Sequence, residues 1–259
     1  MGTVYLAEQT TMGRLVALKV LPSSLTQDIT FSERFMSEVR TQGALNHPNI
    51  ATAYDAGKYG DIYYLAMEHF EGLDLFDLIE KEGLLEERMA LRIAGIVATG
   101  LAYAWDKQEV VHRDIKPSNI FLCHGNEVKI LDLGVSVSKT SLMTQPSTAE
   151  MVLGTPHYMP PEQAETCSLI DIRGDIYSLG ATLYHMLGGR PPFAEKNLTE
   201  IVPRQMQEKA AALKVLNPKV TPQAVRLIET MMARDPAHRH QDWQQCINDI
   251  RLVKAGSIP

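Results

Sequence analysis

The sequence has few of the residues that mark secreted, metal-binding or membrane-spanning proteins. It contains three cysteines among 259 residues, Cys123, Cys167 and Cys246, and their spacing matches no metal-ligand pattern. We therefore expect buried, unpaired thiols in a reducing compartment, because disulfides persist in oxidising ones. The two longest uncharged apolar stretches, 93–105 and 176–189, are shorter than the roughly 20 residues that span a bilayer. Neither predicts a membrane segment.

Basic charge is also scarce. Twenty-five Lys and Arg residues face 31 Asp and Glu residues, which gives a formal net charge of -6 and argues against nucleic acid or an anionic membrane as the main partner. The first five residues contain no basic segment followed by an apolar one, so no secretory signal is predicted and we expect a cytoplasmic protein. With 45% hydrophobic residues, the chain has the composition of one large or two modest globular domains.

The hydrophobic periodicity changes along the chain and predicts an α+β fold with two lobes. Up to about residue 70 we expect a helix that begins at the capping-box sequence Thr30-Phe31-Ser32-Glu33, packed with short strands at 3–8, 15–21, 51–58 and 62–68. Later apolar residues recur at helical spacing and predict helices at about 86–107, 174–187, 221–233 and 241–253. Between residues 108 and 165 the pattern indicates strands, loops and turns.

One lysine lies in a predicted strand beside a small residue. Within Leu15–Leu21 the strand period of two places Ala17 and Lys19 on the same face. A flat ring could lie on Ala17 while Lys19 reaches a phosphate group. A single lysine in a strand is more often a solvated edge residue, and that alternative stays open at this point.

A second group of polar residues lies in His112–Asn119 and at Asp132, on either side of a predicted hairpin. Gly125 and Asn126 are typical of a tight two-residue turn, and symmetric pairing about that turn would place Asn119 opposite Asp132. An amide oxygen and a carboxylate would then converge, which is the ligand type that Mg²⁺ takes when phosphate and water complete its shell. The alternative is that the two residues only cap the hairpin.

These segments resemble the motifs of eukaryotic-like protein kinases. His112–Asn119 matches the H-R-D-x-K-x-x-N loop, Asp132-Leu133-Gly134 resembles the D-F-G triplet, and Val16–Lys19 resembles the V-A-I-K strand. Gly154–Glu162 is similar to the stretch that ends in A-P-E, with Pro160 in place of alanine. Four motifs in this order imply a bilobal kinase fold, with a small antiparallel-sheet lobe with one helix over residues 1–70 and a larger helical lobe over 71–259. ATP and Mg²⁺ would bind between the lobes.

The resemblance implies a role for each matching residue. Asp114 would orient the substrate hydroxyl and accept its proton, Lys116 would neutralise the γ-phosphoryl group, and Asn119 and Asp132 would hold Mg²⁺. Lys19 would contact the α- and β-phosphates and pair with Glu38. The other implied ATP-binding residues are Gly2 in the glycine-rich loop, Val4, Ala17 and Phe121 around adenine, Met67 as gatekeeper, and the hinge backbone from Glu68 to Phe70.

The same resemblance implies the substrate and the regulation. Lys116 and the Gly154-Thr155 pair resemble those of Ser/Thr kinases, so protein Ser and Thr hydroxyls are the expected substrates. Gly154–Gln163, together with Asn46–Ile50, is most similar to the bacterial Ser/Thr branch of the family. Arg113 resembles an arginine that binds a phosphate on the activation loop, and we expect autophosphorylation at Thr144 or Thr148, for which two chains could form a dimer. The alternative is that Thr144 and Thr148 are simply polar residues in a flexible segment. Structural roles are implied for the pair Glu162–Arg239 and for Asp175, which would support the catalytic loop.

The chain departs from the kinase pattern at its start. Gly2 and Val4 match the end of the family's G-x-G-x-x-G-x-V loop, so we expect the first strand and two glycines to be missing. The backbone donors that cover the phosphates would then be incomplete, which leaves the activity open. A pseudokinase or inactive fragment that binds proteins is one alternative, and a small-molecule phosphotransferase is another. A pseudokinase would be expected to lack some of the four key residues, which are all present: Lys19, Asp114, Asn119 and Asp132.

Overall fold

The computed structural model describes residues 3–21, 39–40, 42–133, 156–166, 170–194 and 198–258. Strands dominate the first part of the chain and helices the rest, so the predicted α+β arrangement of a sheet lobe and a helical lobe is confirmed. The four early strands and the four helices predicted after residue 70 are all present, with boundaries within two residues of those expected. Cys246 is buried and Cys123 is half-buried, and both are unpaired, while Cys167 lies outside the described residues.

The N-terminal lobe is built on a four-stranded antiparallel sheet. Its strands are β1 Thr3–Gln9, β2 Arg14–Val20, β3 Ala53–Tyr59 and β4 Ile62–Glu68, in the order β1-β2-β4-β3. Lys19 on β2 lies opposite Val4 on β1 and Leu65 on β4. Because β2 is an interior strand and the Lys19 side chain is only 15% exposed, Lys19 is not a solvated edge residue.

The face of this sheet that carries Lys19 covers a small apolar core. Ala17 lies opposite Met67 and packs against a buried cluster of Leu21, Val39, Tyr63, Leu65 and Met67. Val39–Arg40 and Gln42–Gly43 are helical, as expected for the end of the predicted early helix. The start of that helix, including its capping box and Glu38, lies outside the described residues.

A smaller sheet joins the lobes to the predicted hairpin. It contains β5 Gly72–Asp74, β6 Ile120–Cys123 and β7 Val128–Ile130 in that order. The predicted hairpin register is wrong by one residue. Cys123 N donates to Glu127 O over 2.9 Å, so the loop contains three residues, 124–126, and Gly125 and Asn126 both have positive φ.

This shift changes the partner of Asn119. Ile120 pairs with Ile130, and Leu131 N donates to Asn119 O over 2.9 Å, so Asn119 lies opposite Leu131 and Asp132 is the next residue along. A glycine and an asparagine suit two-residue and three-residue loops alike, because both residues tolerate positive φ. Composition alone therefore could not fix the register.

The C-terminal lobe is mainly helical. Its helices are α1 Leu75–Glu82, α2 Glu87–Gln108, α3 Pro161–Thr166, α4 Ile172–Gly188, α5 Leu198–Gln207, α6 Leu213–Leu216, α7 Pro222–Met231 and α8 Trp243–Lys254. Helices α1, α3, α5 and α6 are not among those predicted from the sequence. Helix α1 has eight residues and is capped by the Asp74 side chain, and α3 and α6 have only six and four residues. Helix α5 contains Pro203, which normally interrupts a helix.

Helix α4 forms the centre of this lobe, because nearly all of its side chains are buried. It packs against α2 and α7, whose apolar faces contribute to one continuous core. Among the helices that the structure describes, none combines the length and the hydropathy needed to cross a membrane. Because α4 is buried, its position is fixed, and loops that bind to its side chains are fixed with it.

Gly72 provides a test of how β5 is held beside the hairpin. Its φ is +152°, and a Cβ at this position would collide with the Leu122 carbonyl oxygen and lie 2.9 Å from Cys123 Cα. Gly60, in the β3–β4 turn, has φ +59° but open space around it. We expect Gly72→Ala to lower the free energy of unfolding by about 2–4 kcal/mol and Gly60→Ala by only about 1–2 kcal/mol, measured by urea denaturation. Equal losses would contradict the proposed steric conflict.

Candidate active site

One buried carboxylate on α4, that of Asp175, anchors the loop His112–Asn119. Asp175 accepts hydrogen bonds from His112 N at 2.6 Å and from Arg113 N at 2.7 Å. Asp175 is 1% exposed, and burial raises the pKa of its carboxyl group while the two backbone donors favour the charged form. Arg113 has φ +66°, an uncommon conformation for a residue with a side chain, and its bond to Asp175 helps to hold it there.

Asp114 lies at the centre of a group of hydrogen bonds in this loop. Lys116 Nζ donates to Asp114 Oδ2 over 2.7 Å. Asn119 Nδ2 donates to the Asp114 carbonyl oxygen at 2.7 Å and to Asp114 Oδ2 at 3.1 Å. Lys116 and Asn119 are buried, whereas the Asp114 side chain is partly exposed. The arrangement therefore presents an oriented carboxylate, which can accept a proton from a hydroxyl group.

Lys19 and Asp132 join the two lobes at the same site. Lys19 Nζ on β2 donates to Asp132 Oδ2 over 2.7 Å, although the residues are 113 positions apart. Asp132 is the residue after Leu131, whose N–H is hydrogen-bonded to Asn119. Because Asp132 has φ +56°, the backbone turns sharply at the end of the hairpin. The expected partner of Lys19 was Glu38, which lies outside the described residues. The partner observed is Asp132.

Asn119 and Asp132 offer a donor set suited to a hard divalent cation. Because Asn119 Nδ2 donates to Asp114, the amide oxygen is the atom of this side chain that can bind a cation. Across the described part of the chain, His, Cys, Asp and Glu form no group of three or more that could hold a metal. One amide and one carboxylate suit Mg²⁺, which usually takes phosphate and water as its other ligands, better than zinc.

The residues expected around adenine come from both lobes. Ala17 and the buried Met67 lie on the inner face of the sheet, which also carries Lys19. Phe121 on β6 lies instead beside Phe70, with 6.0 Å between the ring centroids. Val4 lies on the same sheet face as Lys19, but it is 57% exposed. Gly2 lies outside the described residues.

Lys129 is not among the residues predicted from the sequence, although it lies beside the expected hinge. Its Nζ is 3.1 Å from Glu68 Oε1 and 4.9 Å from the centroid of the Phe70 ring. The available signal was its position on β7, three residues before Asp132 and opposite Phe121 in the corrected register. A lysine between Val128 and Ile130 otherwise has the pattern of an outward-facing strand residue.

The segment around Pro156–Tyr158 is attached to the helical lobe by buried contacts. Arg239 makes a bidentate pair with Glu162, Nη1 to Oε1 at 2.7 Å and Nη2 to Oε2 at 2.8 Å, as expected for the pair Glu162–Arg239. Tyr158 Oη lies 2.6 Å from His185 Nδ1 on α4, and burial lowers the pKa of His185 to about 4. His185 is therefore neutral near pH 7, and its Nδ1 can accept a hydrogen bond from the Tyr158 hydroxyl group. Thr144, Thr148, Gly134 and Gly154 lie outside the described residues.

Comparisons with known proteins agree with this geometry. The family described as the protein kinase domain matches residues 1–249. The chain is 37% identical over 253 residues to the serine/threonine-protein kinase PrkC of Bacillus subtilis, covering 98% of this chain and 38% of PrkC. It is 32% identical over 263 residues to PknB of Mycolicibacterium smegmatis, covering 100% of this chain and 42% of PknB. The chain thus spans less than half the length of these curated relatives.

Comparison with solved structures also shows similarity to a kinase domain. The crystal structure of the Mycobacterium tuberculosis PknI kinase domain superposes with a TM-score of 0.76 at 25% sequence identity. The match covers 97% of this chain and 90% of that domain. Both the sheet lobe and the helical lobe therefore lie within the similar region.

The buried pair of Tyr158 and His185 predicts a loss of stability in acid. The pKa of His185 is about 4 in the folded chain and near its ordinary value of 6.5 when unfolded, so the unfolded chain binds more protons between these values. The free energy of unfolding should fall as the pH drops through this window, by about 2 kcal/mol from this residue between pH 7.5 and pH 5. Urea titrations at both pH values test this.

One test variant and one control variant complete that experiment. His185→Gln should lose this part of the pH dependence, whereas the change of the exposed His238 to glutamine should keep it. An unchanged pH dependence in His185→Gln would contradict the neutral buried imidazole.

Proposed function

Because the chain belongs to the protein kinase family, in its bacterial Ser/Thr branch, we propose that it transfers the γ-phosphoryl group of ATP to Ser and Thr hydroxyls of proteins. Its fold is the bilobal protein kinase fold. The observation that carries the proposal is the convergence of two hydrogen-bonded pairs, one within the loop His112–Asn119 and one that joins residues 113 positions apart. Lys116 donates to Asp114, Lys19 donates to Asp132, and the backbone bond from Leu131 to Asn119 brings the two pairs together.

We assign the reaction at the substrate hydroxyl to Asp114 and Lys116. Lys116 and Asn119 hold the Asp114 carboxylate in one orientation, so it can align a Ser or Thr hydroxyl and accept its proton. The Lys116 ammonium is close enough to Asp114 to neutralise charge on the transferred group as well. These residues act mainly by position and charge, which is what phosphoryl transfer requires from a protein.

We assign Asn119 and Asp132 to Mg²⁺. Protein kinases use ATP and a divalent cation, and the amide and carboxylate oxygens here fit that cation. When bound, such an ion would neutralise negative charge on the phosphate groups of ATP. Lys19 lies beside the same carboxylate, so its ammonium is placed to contact the α- and β-phosphates.

We assign the adenine site to Ala17, Met67, Phe121, Val4 and the backbone of residues 68–70. Ala17 leaves space on the sheet face beside Lys19, while Phe121 supplies an aromatic surface from the other lobe. The roles of Gly2 and Glu38 remain part of the proposal through the family pattern. We place the boundary between the lobes near residue 70, where β4 ends, so that residues 1–70 and 71–259 form one kinase domain.

The family pattern also supports a proposal about partners and location. We propose that Thr144 or Thr148 is phosphorylated by a second copy of the chain in a transient dimer and that Arg113 then binds the phosphate. We place the reaction in the cytoplasm, where ATP is plentiful. The pseudokinase alternative gains no support from the site, because Lys19, Asp114, Asn119 and Asp132 are all present and hydrogen-bonded. The small-molecule alternative gains none from the comparisons, because the similar proteins are serine/threonine-protein kinases.

Asp114→Asn tests the proposed function directly. The amide keeps the shape of the side chain but cannot accept the hydroxyl proton, so kcat should fall about 10²–10⁴-fold while nucleotide affinity changes little. Initial rates on a Ser/Thr peptide with ATP and Mg²⁺ measure this. The exposed Asp106 on α2 provides a matched control as Asp106→Asn, which should keep the parent rate.

A second variant links the measured transfer to this site. Asp132→Ala should abolish transfer because it removes the carboxylate assigned to the cation. Near-normal turnover in Asp114→Asn, or transfer that persists in Asp132→Ala, would overturn the assignment of this site. A parent chain that binds no nucleotide by calorimetry would favour the protein-binding alternative.

A further inference from the structure

Lys129 is a buried cation with no place in the function assigned above. It is 8% exposed, although β7 belongs to a hairpin near the protein surface. Val128 and Ile130 point into the main core, so the strand period of two turns Lys129 to the opposite side. That side is shared with Phe121, which lies directly opposite in the register.

The contacts of Lys129 compensate for its burial. Its ammonium lies 3.1 Å from Glu68 Oε1 and 4.9 Å above the centroid of the Phe70 ring, a distance at which a cation and an aromatic face attract each other. Phe70 in turn lies 6.0 Å from Phe121. One side chain therefore contacts the end of β4, the expected hinge, and the aromatic pair beside the adenine site.

Glu68 is held by the neighbouring backbone as well. Its Oε2 accepts a hydrogen bond from Thr52 N at 3.3 Å, and Glu68 N donates to Thr52 O at 2.9 Å. The segment before Thr52 also binds β7, because Ala51 N donates to Ile130 O at 2.9 Å. The contacts thus form a closed ring through residues 51–52, Glu68, Lys129 and Ile130, which we call the hinge ring.

The hinge ring connects elements of both lobes. Glu68 ends the last strand of the N-terminal sheet, while β7 leads within two residues to Asp132 in the C-terminal lobe. A buried ion pair contributes little net stability against an apolar substitute, but the loss of one partner leaves an uncompensated charge. A pair retained in such a place can instead fix one relative position of the elements that it joins.

We propose that Lys129 is a positioning residue for the nucleotide. Through Glu68 it fixes the hinge backbone relative to β6 and β7, and it keeps Phe70 and Phe121 together as one surface for adenine. This inference rests on the proposed ATP site. Loss of the pair should weaken ATP binding without changing the chemistry at Asp114, since the ion pair and ring contact of Lys129 within the described residues are with Glu68 and Phe70.

The experiment compares Lys129→Met, Glu68→Gln, the double variant and Lys129→Arg. Lys129→Met and Glu68→Gln should each raise KM for ATP and Kd for ADP by about 5–20-fold, with kcat within about twofold of the parent. The double variant should be no weaker than the worse single variant, because both changes remove the same pair. Lys129→Arg should restore near-parent affinity. Lys107→Met, at an exposed position on α2, is the matched control and should change neither constant.

Hydrogen exchange supplies a readout that does not depend on nucleotide. In Lys129→Met and Glu68→Gln the amides of Thr52 and of residues 68–70 should exchange faster than in the parent, in Lys129→Arg and in Lys107→Met. This comparison tests the hinge ring even if the parent binds no ADP, a result that would overturn the proposed function instead.

Three results would overturn the inference. The first is a lower kcat or a lower melting temperature in Lys129→Met with KM for ATP unchanged, which would indicate a purely structural lysine. The second is additive losses in the double variant, which would show that the two residues act independently. The third is unchanged exchange at residues 52 and 68–70. Should Lys129→Met fail to fold, Glu68→Gln carries the same comparison, because it keeps the volume of the side chain.

Discussion

The site depends on the buried carboxylate of Asp175 and on the two hydrogen bonds that it accepts from the backbone N–H groups of His112 and Arg113. A loop of eight residues, with Arg113 in a left-handed conformation, would not keep one shape by itself. Asp175 holds it because helix α4 is enclosed by the core of the lobe and cannot move independently of α2 and α7. His185 on the same helix is hydrogen-bonded to the Tyr158 hydroxyl, so one rigid element supports two separate loops.

Two charged pairs connect the sheet lobe with the helical lobe. Lys19 and Asp132 meet where the candidate catalytic loop and the end of the hairpin converge, and the Asp132 carboxylate stays partly exposed. Lys129 and Glu68 meet at the end of β4, where the Phe70 ring lies over the lysine ammonium. The first pair joins groups that the proposed reaction would use. The second pair joins groups that hold the hinge in one position.

The sequence was sufficient for most of the regular structure. Alternating and helical periodicities located four strands and four long helices, since each pattern reflects burial on one face of one element. They did not locate α1, α3 and α6, which are short, or α5, whose proline contradicts the helical pattern. The turn at residues 124–126 shows a different limit, because its glycine and asparagine were identified correctly while the register was displaced by one residue.

By itself the sequence determined the order of the elements, the residue types at the candidate site and their spacing within each loop, because these follow from local geometry along the chain. Only the tertiary structure decided which distant groups meet: Lys19 with Asp132, Lys129 with Glu68, and Tyr158 with His185. Each of these pairs joins different elements, and no periodicity in a single strand or helix records how two elements pack. Packing also decided that Lys19 and Lys129 are largely buried, since a lysine in a strand carries no local sign of whether its outward face will meet water or another part of the chain.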